Sequence, residues 1–389
     1  MTNVRAAVGD GSGNFSIEEV ELEDPQNQEV LIAMRASGVC HTDWDSLRWG
    51  RPIILGHEGA GVVLRVGPDV TTCRPGDRVM LNWAIPCGVC FQCERGKENI
   101  CEDRGTVPDL RFNRAGNFAN QSGGSAPSSA QATLIGASAG STGSAGPGGF
   151  NASFSLGTMA THALVPQAAV VALPDDVPFE VGAILGCAVM TGFGSAVNAA
   201  QVTAGRTVVV LGCGGVGLSV ILGALYCKAA RILAIDLNPE RLAIALQFGA
   251  TETLLAERAD KGLREASREV KRRTNGRGAD YAFECTAVPE LGSAPLAMIR
   301  SGGTAVGVSG IEQIVPVDMQ LFEWDKIYIN PLYGSCRPQR DFPRLLDLYR
   351  RGKLPLDAMV TRTYSLDALG QAFHDMHAGL NAKGVLLFD

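Results

Sequence analysis

Through the first eighty residues, apolar positions come in short runs broken by Gly, Pro and Asp. Runs at 29–36, 59–66 and 78–81 have strand length, and their punctuation predicts a β-rich segment. Later the pattern changes. Residues 113–150 are largely Gly, Ser and Ala, and no Asp, Glu, Lys or Arg occurs from 115 to 174. Such a composition builds no core. It reads as a loop insertion, either solvated and without a role or a mobile cover near the mouth of a site. A second uncharged run, 181–205, predicts a connecting helix, because its glycines and Cys187 tell against a membrane span.

The stretch 208–236 organises the rest. It opens with the apolar run Val208-Val209-Val210-Leu211, followed by Gly212, Gly214, Gly215 and Gly217. An apolar segment of helix length, 218–226, leads to a short strand at 232–235 that ends in Asp236. This is the order of a dinucleotide-binding βαβ unit. Gly212 permits a tight turn, Gly214 lets the backbone approach a pyrophosphate, and Gly217 lets helix pack on strand. The amides at the helix N-terminus form an anion site. Asp236 lies nineteen residues past Gly217, where a carboxylate holds a ribose hydroxyl and repels a 2′-phosphate. NAD is therefore expected rather than NADP. The α/β rhythm continues with helices at 239–248 and 261–273 and strands at 280–284, 303–308 and 326–330. Helices at 342–350 and 366–377 and a last strand at 384–388 follow.

Length and composition then bound the class. A chain of 389 residues makes about two domains, and 46% hydrophobic residues allow a sizeable core. A net charge of −6 gives no electrostatic case for nucleic acid. No apolar signal region opens the sequence, so a cytoplasmic protein without a membrane partner is expected. There are eleven cysteines, an odd number, which fits a reducing compartment better than a disulfide framework.

Six of those cysteines have metal-ligand placement. Cys87, Cys90, Cys93 and Cys101 follow one another at intervals of three, three and eight residues and suit one tetrahedral Zn²⁺. No histidine is near them, so the site reads as structural; an iron–sulfur cluster is the chemical rival. Cys40, His57 and Cys187 are far apart in sequence. Two thiolates and an imidazole would make a neutral zinc site with a fourth position open, where zinc acidifies a bound hydroxyl. Taken singly, each of the three is more simply a core cysteine or an inert histidine.

The motifs GVCHTD, GHEGAG, the four-cysteine lobe, LGC…TGFGSAV, GCGGVG and IDLN, in this order, resemble the zinc-dependent alcohol dehydrogenases of the medium-chain dehydrogenase/reductase family. The resemblance runs over nearly the whole chain. It implies that Cys40, His57 and Cys187 bind the catalytic zinc, with Glu58 beside it as an outer or alternate ligand. Asp43 would orient His57, and Thr42 would accept the alcohol proton. His41 and Lys383 would face the cofactor pyrophosphate. Thr191 and Val216 would pack on the nicotinamide, and Asp236, Asn238 and Arg241 would surround the adenosine ribose. Trp83 falls where a substrate-pocket aromatic is expected. Two departures stand out. Asp45 occupies the position where many members end their proton relay with histidine, and the 113–150 insertion has no counterpart. LNW…CGVCFQCERG and AFHDMHAGL resemble the branch acting on formaldehyde adducts of thiols, for which Arg104 and Arg111 are candidate carboxylate partners. GSCRPQRDFPRLLDLYRRGKLPLDAMV resembles aryl-alcohol and tightly bound-nicotinamide members.

The expected architecture is α/β. A mostly β, GroES-like catalytic domain takes 1–188 and 333–389, with a zinc lobe at about 84–104. A Rossmann domain takes 189–332. The expected reaction is hydride transfer between a primary alcohol, or a thiol–formaldehyde adduct, and NAD, with two zinc ions per chain and a homodimeric assembly. A biosynthetic reductase acting on a larger aldehyde, iminium or activated double bond is the nearest rival. A non-catalytic binding protein on the same fold is the rival from another class.

Overall fold

The computed structural model describes residues 1–103 and 151–389, and the backbone of 112–114. The reading of 115–150 as an insertion, and the candidates Arg104 and Arg111, lie outside the described residues. Residues 113 and 114 belong to a strand, Phe112–Arg114, that pairs with Phe15–Leu22.

The described residues form three sheets. Six parallel strands stack in the order Glu252–Leu255, Arg231–Asp236, Thr207–Leu211, Ala279–Glu284, Ile299–Gly307 and Ile327–Ile329. Numbered along the chain this is 3-2-1-4-5-6, the doubly wound order, whose crevice opens at the carboxyl ends beside the first strand. Val208, Val209 and Val210 are fully buried because helices cover both faces. That double burial explains the unbroken apolar run in the sequence.

A seven-stranded sheet is built on Glu29–Gly38, which pairs with Gly59–Val66, His162–Pro166 and Lys383–Leu387. The pairing of Val385 with Gly38 returns the last strand to the first part of the chain and sets Lys383 beside Val39. A five-stranded sheet completes the β part. Between β part and parallel sheet runs the helix Phe179–Ala199, with 89% of its most apolar window buried inside the protein. It widens into π-turns at Leu185–Val189 and Ser195–Ala199. One apolar cluster joins Ala60 and Val385 through this helix to Val208 and Phe283.

Some boundaries differ from expectation for local reasons. The charged helix starts at Arg264, not 261, because Gly262 and Leu263 take positive φ. Asp260 then caps it by accepting from the amides of Glu265 and Ala266. The helix expected from 366 opens with one 3-10 turn, continues as Leu369–Ala378, and stops at Gly379, φ +74°.

Candidate active site

The loop leaving Glu29–Gly38 carries Cys40, and the turn before Gly59–Val66 carries His57 and Glu58. The π-turn Leu185–Val189 carries Cys187. Their donor atoms all lie within 4.8 Å of one another. His57 Nδ1 is 2.8 Å from Asp43 Oδ1, both groups being buried, which leaves Nε2 for the cluster. The Asp43 carboxylate raises the His57 pKa well above its ordinary value, overriding burial, which acts the other way. A hydrogen bond from Cys187 holds the Cys40 thiol well below its ordinary range, with Lys383 and His57 adding positive charge. Two sulfurs that share a proton beside an imidazole are a soft donor set suited to zinc.

Glu58 is fully buried, and burial pushes its carboxyl up to about 7. Its Oε1 accepts from Lys383 Nζ at 2.6 Å, while Oε2 has no protein partner. The ammonium of Lys383 is held by Glu58 and, at 2.9 Å, by the Val39 carbonyl. A buried carboxylate needs a counter-charge nearby, and Lys383 supplies it. Its side chain lies beside the glycine motif: a Cβ on Gly215 would stand 3.4 Å from Lys383 Cδ.

The second cluster, Cys87, Cys90, Cys93 and Cys101, also has donor atoms within 4.8 Å. Backbone amides of Cys87, Cys90 and Glu102 donate to the sulfurs of Cys101, Cys87 and Cys90 at 3.3, 3.3 and 3.4 Å. Backbone hydrogen bonds, that of Cys93 first, lower the Cys90 thiol to about 6. Amides aimed at sulfur favour thiolate, the form that binds metal. All eleven cysteines are free of disulfides.

At the glycine motif, Gly212 has φ +85°, and a Cβ on Gly217 would sit 1.8 Å from the Gly212 oxygen. Nothing lies within 4 Å of the corresponding point on Gly214, so that face is open. Asp236 Oδ2 accepts from the Cys213 amide at 2.7 Å and Oδ1 from the Asn238 amide at 2.9 Å. The carboxylate thus holds both loops at the crevice. Asn238 and Arg241 reach across to carbonyls of Gly379 and Met376 at 3.2 and 3.4 Å. Next to Thr191 the helix meets Val216: a Cβ on Gly192 would be 2.2 Å from the Val216 oxygen. His41 stands edge-on to His377 at 5.3 Å. Although it keeps solvent contact, loss of surrounding water lowers its imidazole to about 4, with His377, Lys383 and Arg241 contributing. Thr191 Oγ1, Arg241 Nε, Trp83 Nε1 and Glu58 Oε2 are buried without a protein partner, as expected of groups that meet a ligand.

Thr42 Oγ1 is 3.8 Å from Cys40 Sγ. Asp45 lies in the same short helix, His41–Ser46, and is exposed. Partial loss of water, then Glu312 and Cys40, push its carboxyl up to about 6. If Asp45 receives the relayed proton, alcohol oxidation falls as pH drops through about 6, where the base form disappears. Asp45→Asn is expected to slow oxidation near neutral pH and to erase that limb. A variant with the wild-type pH–rate profile would remove Asp45 from the relay.

Sequence reasoning named Trp83 but missed the rings that join it. Phe154 lies 5.0 Å from His57 and 5.0 Å from Trp83, and Trp49 lies 5.9 Å from Phe154. Trp83 also packs on Tyr333 at 4.3 Å. The available signal was a lone aromatic in the otherwise small-residue stretch NASFSLGT.

Residues 26–175 match the alcohol dehydrogenase GroES-like domain, and residues 215–351 match the zinc-binding dehydrogenase domain. An NDMA-dependent alcohol dehydrogenase of Amycolatopsis methanolica is 36% identical over 98% of either chain. An S-(hydroxymethyl)glutathione dehydrogenase of Paracoccus denitrificans is 31% identical over 99% of either chain. Benzyl alcohol dehydrogenase from Acinetobacter calcoaceticus superimposes with a TM-score of 0.82 at 29% identity, covering both chains in full. With both domains matched and relatives aligned from end to end, the chain belongs to the zinc-dependent alcohol dehydrogenases of the medium-chain dehydrogenase/reductase family.

Proposed function

We propose that this alcohol dehydrogenase oxidises apolar primary alcohols, aromatic ones included, with NAD, and that it holds two zinc ions. One observation carries the reading: the metal-ligand set and the glycine motif adjoin. A Cβ on Gly215 would lie 3.5 Å from Ala188, the residue after Cys187. Zinc at Cys40, His57 and Cys187 supplies Lewis acidity that makes an alcohol proton easier to remove, and NAD supplies the hydride acceptor. Asp43 fixes the His57 ring through Nδ1. Thr42 takes up the alcohol proton, and Asp45 receives it toward solvent. Trp83, Phe154 and Trp49 provide an apolar, ring-faced wall beside His57, which favours an aromatic or bulky chain over a charged substrate. Asp236 at the end of its strand supports NAD, because a 2′-phosphate there would meet a carboxylate. The cysteine lobe takes the second, structural zinc.

The proposal extends to a homodimer in the cytoplasm. Ile327–Ile329 is an edge strand of the parallel sheet, and in it and the segment leading into it Ile314, Met319, Trp324 and Ile327 are 94%, 73%, 74% and 53% exposed. An open strand edge beside apolar side chains suits pairing with a second copy. Eleven free cysteines suit a reducing compartment.

The test is NADH formation by zinc-loaded protein over a panel of aromatic and aliphatic alcohols, and formaldehyde with thiols. Turnover of benzyl-type alcohols without thiol is expected. Turnover only with formaldehyde and a thiol would replace this substrate class by the adduct reading, which the Paracoccus relative's name favours. Because one relative is named NDMA-dependent, the panel is repeated with NDMA. Turnover with NDMA but no free NADH would mean that the nicotinamide stays bound.

A further inference from the structure

Cys187 sits in the π-turn Leu185–Val189, where the helix leaves α-helical register. The turn Leu332–Ser335 packs on the next turns of the same helix, Met190–Gly194 and Ser195–Ala199. Tyr333, Gly334 and Ser335 are all left-handed there, at φ +52°, +62° and +51°. Two of the three are not glycine, and such a run persists only where its surroundings hold it. Tyr333 is 1% exposed, and its hydroxyl donates to the carbonyl of Gly186, the residue before Cys187. The turn is gripped from the other side by the cysteine lobe. Asn99, two residues before Cys101, donates to the Leu332 carbonyl at 2.8 Å, and Glu98 lies 3.5 Å from Arg337.

We infer that Tyr333 is a positioning residue for the catalytic metal site. Its hydroxyl, bound to Gly186, sets the direction from which the Cys187 sulfur enters the donor set. The cysteine lobe, through Asn99 and Leu332, holds Tyr333 in place. The lobe thereby steadies a metal ligand that it does not touch. This rests on the reading that Cys40, His57 and Cys187 bind zinc.

The experiment compares zinc-loaded wild type with Tyr333→Phe, which keeps the ring and removes only the hydroxyl. Zinc release to a chromophoric chelator, followed separately for the two sites, is expected to speed up about tenfold at the Cys187 site and to be unchanged at the lobe. The sulfur-to-metal charge-transfer band of cobalt at the Cys187 site is expected to shift. Tyr349→Phe serves as a control, because its hydroxyl bonds Asp357 on the surface at 2.9 Å. It is expected to move neither readout. Asn99→Ala is expected to change release in the same direction as Tyr333→Phe; no change would break the link to the lobe. A Tyr333→Phe protein that melts lower yet keeps the wild-type release rate and cobalt band has lost a merely structural bond, and that result overturns the inference. Wild-type protein with no zinc at the Cys187 site would instead overturn the zinc reading, and metal analysis shows this before any variant is made.

Discussion

Cys187→Ala is expected to leave a folded protein with one metal ion fewer per chain and a kcat/KM for alcohol oxidation lower by about ten-thousandfold. The side chain is small and buried, so packing changes little. The loss is chemical. Without the second sulfur, the remaining donors are Cys40, His57 and a Glu58 already engaged by Lys383. Lewis-acid assistance is worth several kcal/mol, and each 1.36 kcal/mol is about tenfold in rate. Metal content, circular dichroism and steady-state rates on one preparation settle the point. Near-normal turnover with the ion missing would show that the metal is not catalytic.

Lys383→Met is expected to destabilise the protein increasingly above pH 7, by about 1 kcal/mol at pH 8 and about 3 kcal/mol at pH 9, because it strands a buried carboxylate. Lys383 is 6% exposed and Glu58 0%. In wild type the Glu58 carboxyl is already raised to about 7, above its ordinary value near 4.5. A raised carboxyl stabilises the fold below its unfolded pKa, and that contribution is lost as pH climbs through the folded value. Removing the ammonium raises the folded value further, so the variant keeps losing stability above pH 7 where wild type has levelled off. The gap should narrow toward pH 5, where Glu58 is protonated in both. Urea unfolding across this range measures it, and Lys383→Arg should recover most of the loss. A Lys383→Met protein as stable as wild type at pH 8 would show that the pair carries no such burden.

Lys383 also marks where sequence reasoning stopped. The glycine spacing and the strands around it were legible because burial on both sheet faces writes an unbroken apolar run, and the fold follows from their order. The cysteine lobe was legible because its four sulfurs are local. Cys40, His57 and Cys187 are scattered, so only the resemblance of whole motifs pointed to their meeting. The partner of Lys383 is set by a strand pairing between distant segments, which no local pattern encodes. Tyr333 and Phe154 gave no periodic signal either. Both sit at positive φ in irregular segments, where side-chain direction follows from tertiary contacts. The charged helix starts later than expected because Leu263, a helix former by type, and Gly262 before it both take positive φ.

The return of Lys383–Leu387 to pair with Glu29–Gly38 has a consequence for the order of assembly. Lys383 and Val39 are bonded across 344 positions. On the ribosome, the parallel sheet between them is complete in sequence well before Lys383 emerges, and its local βαβ contacts allow it to form first. The β part waits with the far end of its central strand, 36–38, lacking its last partner and Glu58 without its cation. A nascent chain stalled before residue 383 should therefore show a folded nucleotide-binding half and a protease-sensitive β half, and release of the last residues should protect both.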